Sequence, residues 1–204
     1  MDQQLGIFGD FLPKSSNIEA LIDFNPKFFD ASESDHIFEE LKQSISWKQE
    51  PLVIYGKKTL TPRLTAWYGD PGITYRYSGV TFESLAWTRI LLDIKSKVEL
   101  FADANFNSVL LNFYRDGNDS MSWHSDDEKE LGINPLIASV NFGQSRRFDL
   151  RKKDNHHEKK EILLTNGSIL VMKGNIQHEW QHQVAKSLKI RNGRINLTFR
   201  LVKI

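Results

Sequence analysis

A chain of 204 residues, 40% hydrophobic and 11% aromatic, can bury one sizeable core, which excludes a disordered polar tail and fits a single domain. Its 27 basic and 26 acidic residues give a formal net charge of +1, so no global field draws it onto nucleic acid and any basic surface must be local. The absence of cysteine excludes disulfides and thiolate metal sites.

The opening MDQQLGIFGDFLP has no basic stretch followed by an apolar run, and nowhere do about 18 apolar residues stand together as a membrane span requires. A soluble, intracellular protein with no membrane partner is expected, cytoplasmic in a bacterium or nuclear in a eukaryote. In ASESDHIFEELKQSISW, Ile37, Leu41 and Ile45 fall four apart behind serines that can cap, which predicts a helix with one apolar stripe. PRLTAWYGDPGITYRYSG, rich in aromatics and glycine, reads as strand and loop. A second helix is predicted in ESLAWTRILLDIKSKVELF, where Trp87, Ile90, Leu91, Ile94 and Val98 keep a three-and-four spacing. From about residue 105 the pattern changes to short strands: SVLLNFY, LIASVNF, RRFDLRKK, EILL, SILVMK and RINLTFRLV, separated by RDGND, GQS, TNG and RNG. The fold class is therefore α+β and mostly β, a sandwich or barrel with the helices packed outside it.

Chemistry concentrates in WHSDDE, residues 123–128. His124 and Asp126 are two apart, so on a strand they leave one face and could meet one ion, with Asp127 pointing the other way. A third ligand would come from His36, His156, His157, His178 or His182. His36 lies in a predicted helix, and His156 and His157 sit in KKDNHHEKK, which reads as solvated surface. His178 and His182, in QHEWQHQV, follow a strand far downstream, as a jelly roll needs if distant strands are to meet. His-x-Asp followed by a distant histidine is the pattern of the two-histidine, one-carboxylate face that leaves positions open on iron(II). The same spacing fits a surface histidine beside capping acids. RINLTFR puts Arg194, Asn196, Thr198 and Arg200 on one face and Ile195, Leu197 and Phe199 on the other. Two inward arginines need an anion, and a dicarboxylate would satisfy both through paired hydrogen bonds. An amphipathic edge strand with its polar face in water fits the pattern as well.

NFYRDGNDSMSWHSDDE, IASVNFGQSRRFDLRKK, GSILVMKGNIQHEWQHQV and RINLTFR, in that order, resemble the AlkB family of iron(II)- and 2-oxoglutarate-dependent dioxygenases, which demethylate alkylated nucleobases. PRLTAWYGD and TYRYSG extend the likeness upstream, so that it covers about residues 50 to 202. The resemblance implies one domain: an N-terminal extension to about residue 50, a nucleotide-recognition region with a supporting helix over 50–104, and a double-stranded β-helix (jelly-roll) core over 105–204. It implies Fe(II), 2-oxoglutarate and O2, with His124, Asp126 and His182 as iron ligands. His182 is preferred to His178 because the family's ligand follows a tryptophan by two positions, here Trp180. Arg194 and Arg200 would hold 2-oxoglutarate, Arg200 on its distal carboxylate, with Asn112, Tyr114 and Asn196 as hydrogen-bond partners.

The implied reaction decarboxylates 2-oxoglutarate to succinate and hydroxylates an N-methyl group of 1-methyladenine or 3-methylcytosine, which leaves as formaldehyde. Such a base must be turned out of the stack. Tyr77 would stack on it opposite His124, and Glu128 would read it with Asp127 beside it. Ile54, Tyr55 and Gly56 match a hairpin that wedges into duplexes, with Lys57 and Lys58 on phosphates. Arg63, Tyr68, Arg146, Arg147, Arg151, Lys152 and Lys153 are candidates for the strand-binding surface. Single-stranded DNA is the first expected partner, with duplex DNA and RNA as further candidates, and a monomer is expected. A related dioxygenase acting on RNA or protein is the alternative.

Overall fold

The computed structural model describes residues 17–54, 57–77 and 80–203, side chains excepted at 52–58 and 75–82. In chain order it contains β1 (Ile22–Asn25), α1 (Ala31–Ser44), β2 (Pro51–Ile54), β3 (Lys57–Leu60), β4 (Leu64–Gly69), β5 (Thr74–Tyr77), β6 (Val80–Glu83), β7 (Leu85–Ala86) and α2 (Arg89–Ala102). There follow β8 (Ser108–Tyr114), β9 (Met121–His124), β10 (Ile137–Gly143), β11 (Arg146–Lys152), β12 (Lys159–Leu164), β13 (Ser168–Met172), α3 (Ile176–Glu179), β14 (Trp180–Val184) and β15 (Arg194–Arg200).

Strands distant in sequence lie side by side. The larger sheet runs β1-β13-β10-β15-β8-β4-β7 and the smaller runs β12-β11-β14-β9, which is the expected double-stranded β-helix. Two hairpins, β2–β3 and β5–β6, stand apart from these sheets. β15 is flanked by β10 and β8, so the edge-strand reading of RINLTFR fails. Its Ile195, Leu197 and Phe199 are fully buried in one core with residues of α1 and α2, each contributing roughly 1.5–3 kcal/mol. Its other face lines a cleft between the sheets.

The helices begin where side chains cap them. Asp30, rather than a serine, accepts from the Glu33 N–H at 2.8 Å and starts α1, which buries Ile37 and Leu41. Ile45 is buried too, but in extended backbone one residue past the helix. α2 starts later than its apolar spacing predicts, because Leu85 and Ala86 pair in parallel with β4 and Thr88 caps at Leu91. Trp87 therefore precedes the helix; it donates to Asp70 at 2.7 Å and stacks on Phe199. The first fifty residues are not all outside the core, since β1 pairs with β13, Ile22 opposite Met172.

One loop contact requires glycine. Gly117 donates to the Ile190 carbonyl at 3.1 Å and accepts from the Ser187 N–H at 2.8 Å. A Cβ there would lie 1.8 Å from the Ser187 carbonyl oxygen, so no side chain fits. Arg146 adds bonds to the carbonyls of Asp116, Asp119 and Ala185, locking these loops together beside Tyr114.

Candidate active site

β9 and β14 pair with His124 opposite His182, whose rings stand edge to face at 4.2 Å. β9 ends at His124, so the expectation that Asp126 shares its strand face is corrected. Asp126 instead lies in the following loop and is turned back by Gln177, whose Oε1 accepts from its N–H at 2.9 Å. The result is the one expected of a metal site: one ligand atom each from His124, Asp126 and His182, all within 4.8 Å of one another.

Hydrogen bonding and burial prepare the donors for a cation. His124 Nδ1 lies 2.8 Å from the Ser122 carbonyl, which can only accept, so Nδ1 is the donor there and Nε2 is the nitrogen that a metal would take. Burial pushes His182 down to about 3, with His124 adding to the effect, so it is neutral at physiological pH. Its 3.8 Å spacing from Asp126 is then a ligand-to-ligand distance and no ion pair. Burial pushes the Asp126 carboxyl up, but the opposing charges around it, the Arg200 guanidinium foremost, outweigh it and hold the group ionised, below the usual carboxylate range. Arg200 Nη2 meets Asp126 Oδ1 at 2.6 Å. Two imidazoles and a carboxylate fit iron(II) with positions left open.

The rest of the cleft is polar and ordered by the ladder. Asn112, Asn196 and Asn141 lie directly opposite one another on β8, β15 and β10. Arg63 Nε donates to Asn112 Oδ1 at 2.7 Å, Asn112 Nδ2 to Asn196 Oδ1 at 3.4 Å, and Asn196 Nδ2 to Ser139 Oγ at 2.9 Å. Arg194, only 2% exposed, donates through Nη2 to Asn141, and its guanidinium lies 5.1 Å over the Tyr114 ring. Its Nε and Nη1 have no partner among the described residues. Burial lowers Arg194 to about 10, Tyr114 opposing and nearby Arg146 adding, so it remains a cation. A buried cation with two N–H groups aimed at no acceptor fits a carboxylate, the group that 2-oxoglutarate would bring.

Two expected nucleic-acid contacts, Tyr68 and Arg146, are corrected, while the other basic candidates remain at the surface. Tyr68 is 3% exposed and its hydroxyl accepts from the Ser46 N–H at 3.1 Å, which makes it a core residue. Arg146 is equally buried on backbone carbonyls. Arg147 pairs with Asp149 and Glu161, Lys152 with Asp154 and Glu158, and Lys153 with Asp127, while Arg151 lies 4.2 Å over the Trp123 ring. Arg63 lines the cleft. His178 is exposed and outside the cluster, as are His36, His156 and His157. Tyr55 and Gly56 lie outside the described residues, as do the side chains of Ile54, Lys57, Lys58 and Tyr77. Asn141, Ser139 and Gln177 escaped the sequence reading; a polar residue at 139 and 141 in the apolar run IASVNF was the signal for the first two.

The sequence matches the profile of the 2OG-Fe(II) oxygenase superfamily over residues 22–200. It is 44% identical over 186 residues to alpha-ketoglutarate-dependent dioxygenase alkB homolog 3 of Rattus norvegicus, covering 87% of this chain and 62% of the relative. It is 36% identical over 184 residues to DNA oxidative demethylase ALKBH2 of Bos taurus, covering 85% and 66%. The chain thus spans a little under two thirds of the length of these relatives. Among solved structures, one titled "The structure of OsALKBH1" superposes with a TM-score of 0.61 at 15% identity, over 89% of this chain and 96% of that one, a likeness of fold.

Proposed function

Since the chain belongs to the AlkB family of the 2OG-Fe(II) oxygenase superfamily, we propose that it oxidatively demethylates N-alkylated bases in nucleic acid, 1-methyladenine and 3-methylcytosine in DNA above all. The observation that carries the reading is the shared cleft: a His-Asp-His donor set at one place and, on the same wall, a buried arginine whose Nε and Nη1 lack an acceptor among the described residues. The name of the ALKBH2 relative supports DNA as the polymer.

When bound, iron(II), 2-oxoglutarate and dioxygen would supply the oxidation, converting the cosubstrate to succinate and CO2 and the N-methyl group to a hydroxymethyl group that departs as formaldehyde. The chain would bind and orient. His124, Asp126 and His182 would hold iron. Arg194 would take the distal carboxylate of 2-oxoglutarate, in place of the Arg200 expected from sequence. Arg200 is already committed to Asp126 through Nη2, so it would serve the metal end of the cosubstrate, with its buried Nε still without a partner among the described residues. Asn112 and Asn196 would contribute amide hydrogen bonds, and Tyr114 would support Arg194.

His124 is the most exposed ligand, with 28% of its side chain accessible against 6% for His182, so a base would enter on its side, with Tyr77 as the opposite clamp. Asp127 is engaged by Lys153 at 3.2 Å, which leaves base reading to Glu128. The segment that joins β2 to β3, where Ile54 lies opposite Lys57, is the proposed duplex wedge.

The test is aerobic incubation with iron(II), 2-oxoglutarate and matched single- and double-stranded DNA and RNA oligonucleotides carrying one methylated base, read by mass spectrometry, with His124→Ala as control. Loss of one methylene mass per lesion, dependent on 2-oxoglutarate and absent in the variant, supports the reading. Succinate production with every oligonucleotide still methylated would move the substrate to protein.

A further inference from the structure

The carboxylate ligand lies outside a strand, so the sheet ladder does not fix it. Three consecutive residues of its loop are instead fastened to one segment. Ser125 Oγ donates to the Trp180 carbonyl at 2.8 Å. The Asp126 N–H donates to Gln177 Oε1 at 2.9 Å. Asp127 meets Lys153 Nζ, which also donates to the Gln177 carbonyl at 2.9 Å. Gln177 is 1% exposed, and its Nε2 lies 3.6 Å from Met172 Sδ. That contact sets the sense of the amide, because only its NH2 end can donate to sulfur and only its oxygen can accept from an N–H. Gln177 belongs to α3, which leads directly into β14 and His182. One short segment therefore carries one ligand of the triad and anchors the loop of another.

We propose that Gln177 is a positioning residue of the metal centre: its side-chain oxygen holds the Asp126 backbone where the carboxylate completes the triad. The proposal rests on the iron site described above. Arg200 grips only the carboxylate end of Asp126, so loss of the Gln177 acceptor leaves a buried N–H without a partner and lets the loop move. Partners that orient ligands typically tune metal affinity by about 10–100-fold.

The experiment titrates the metal-free full chain with Co(II), following the visible absorption bands, for the wild type, His124→Ala, Gln177→Met and Ser125→Ala, with thermal unfolding of each metal-free protein. Gln177→Met keeps volume and removes the acceptor. It is expected to unfold cooperatively, to bind Co(II) about 10–100-fold more weakly, and to show altered bands that a general loss of stability would not produce. Ser125→Ala is expected to weaken binding by a smaller factor. Wild-type affinity and bands in Gln177→Met overturn the proposal. If that variant does not fold, wild-type Co(II) binding in Ser125→Ala overturns it. A wild type whose Co(II) binding is absent or insensitive to His124→Ala sinks the iron reading, and the proposal with it.

Discussion

Arg194→Met should have two opposite effects. In the ligand-free protein the buried guanidinium is a cost: holding it down at about 10, well below its ordinary value, corresponds to on the order of 3 kcal/mol. Methionine removes that cost, and Asn141 Oδ1, which loses Arg194, keeps Asn196 Nδ2 at 3.3 Å. The ligand-free variant should therefore unfold several degrees higher, since 1 kcal/mol shifts the midpoint by about 2–4 °C in a chain of this size. With 2-oxoglutarate the sign reverses. Two charge-assisted hydrogen bonds at about 1.5–3 kcal/mol each are lost, weakening cosubstrate binding by roughly a hundredfold to ten-thousandfold. Thermal unfolding with and without Mn(II) and 2-oxoglutarate reads both: wild type gains stability with cosubstrate concentration, and the variant does not. A variant that is less stable without ligand, or that 2-oxoglutarate stabilises as it does the wild type, would refute the assignment of Arg194.

Acid should destabilise the protein through His182. The unfolded chain takes up this proton near 6.5 and the folded one only near 3, so the unfolded state binds more protons in between. The stability from the neutral imidazole is thus complete above 6.5 and lost as pH falls toward 3. Urea midpoints at several pH values measure this slope, and His182→Gln should flatten it. Tyr68→Phe should cost about 1 kcal/mol, from the Ser46 N–H left without its acceptor, while oligonucleotide affinity stays unchanged. Gly117→Ala should destabilise by about 1–3 kcal/mol or more as its Cβ forces the 187–190 loop away, read as a lower denaturant midpoint.

The strands of the core were legible because a period of two survives on buried sheets. RINLTFR shows it plainly, with an apolar face against the helices and a polar face toward the cleft. The choice of His182 over His178 came from likeness to a family, since spacing left both open. What escaped was decided by contacts far along the chain. LTAWYG alternates, but nothing in it says that Ala66 and Tyr68 face inward. RRFDLRKK is so charged that it reads as surface, although Arg146 is satisfied by three carbonyls in two distant loops. IDFN is too short to show a period, and its place as β1 depends on β13, almost 150 residues later. The break after His124 that brings Asp126 into the triad depends in the same way on Gln177.

β9 is the margin of the smaller sheet, joined to β14 through two paired positions, His124 with His182 and Met121 with Val184, and a bulge between them. An ion held by both histidines crosses that seam and staples the outermost strand to its neighbour, as a disulfide would in a chain that had cysteine. Metal loading is then a matter of shelf life as well as chemistry. Stripped of iron, the protein should exchange amide hydrogens fastest along Met121–His124 and offer that bare edge to a second copy, so depletion would favour self-association before it favoured unfolding.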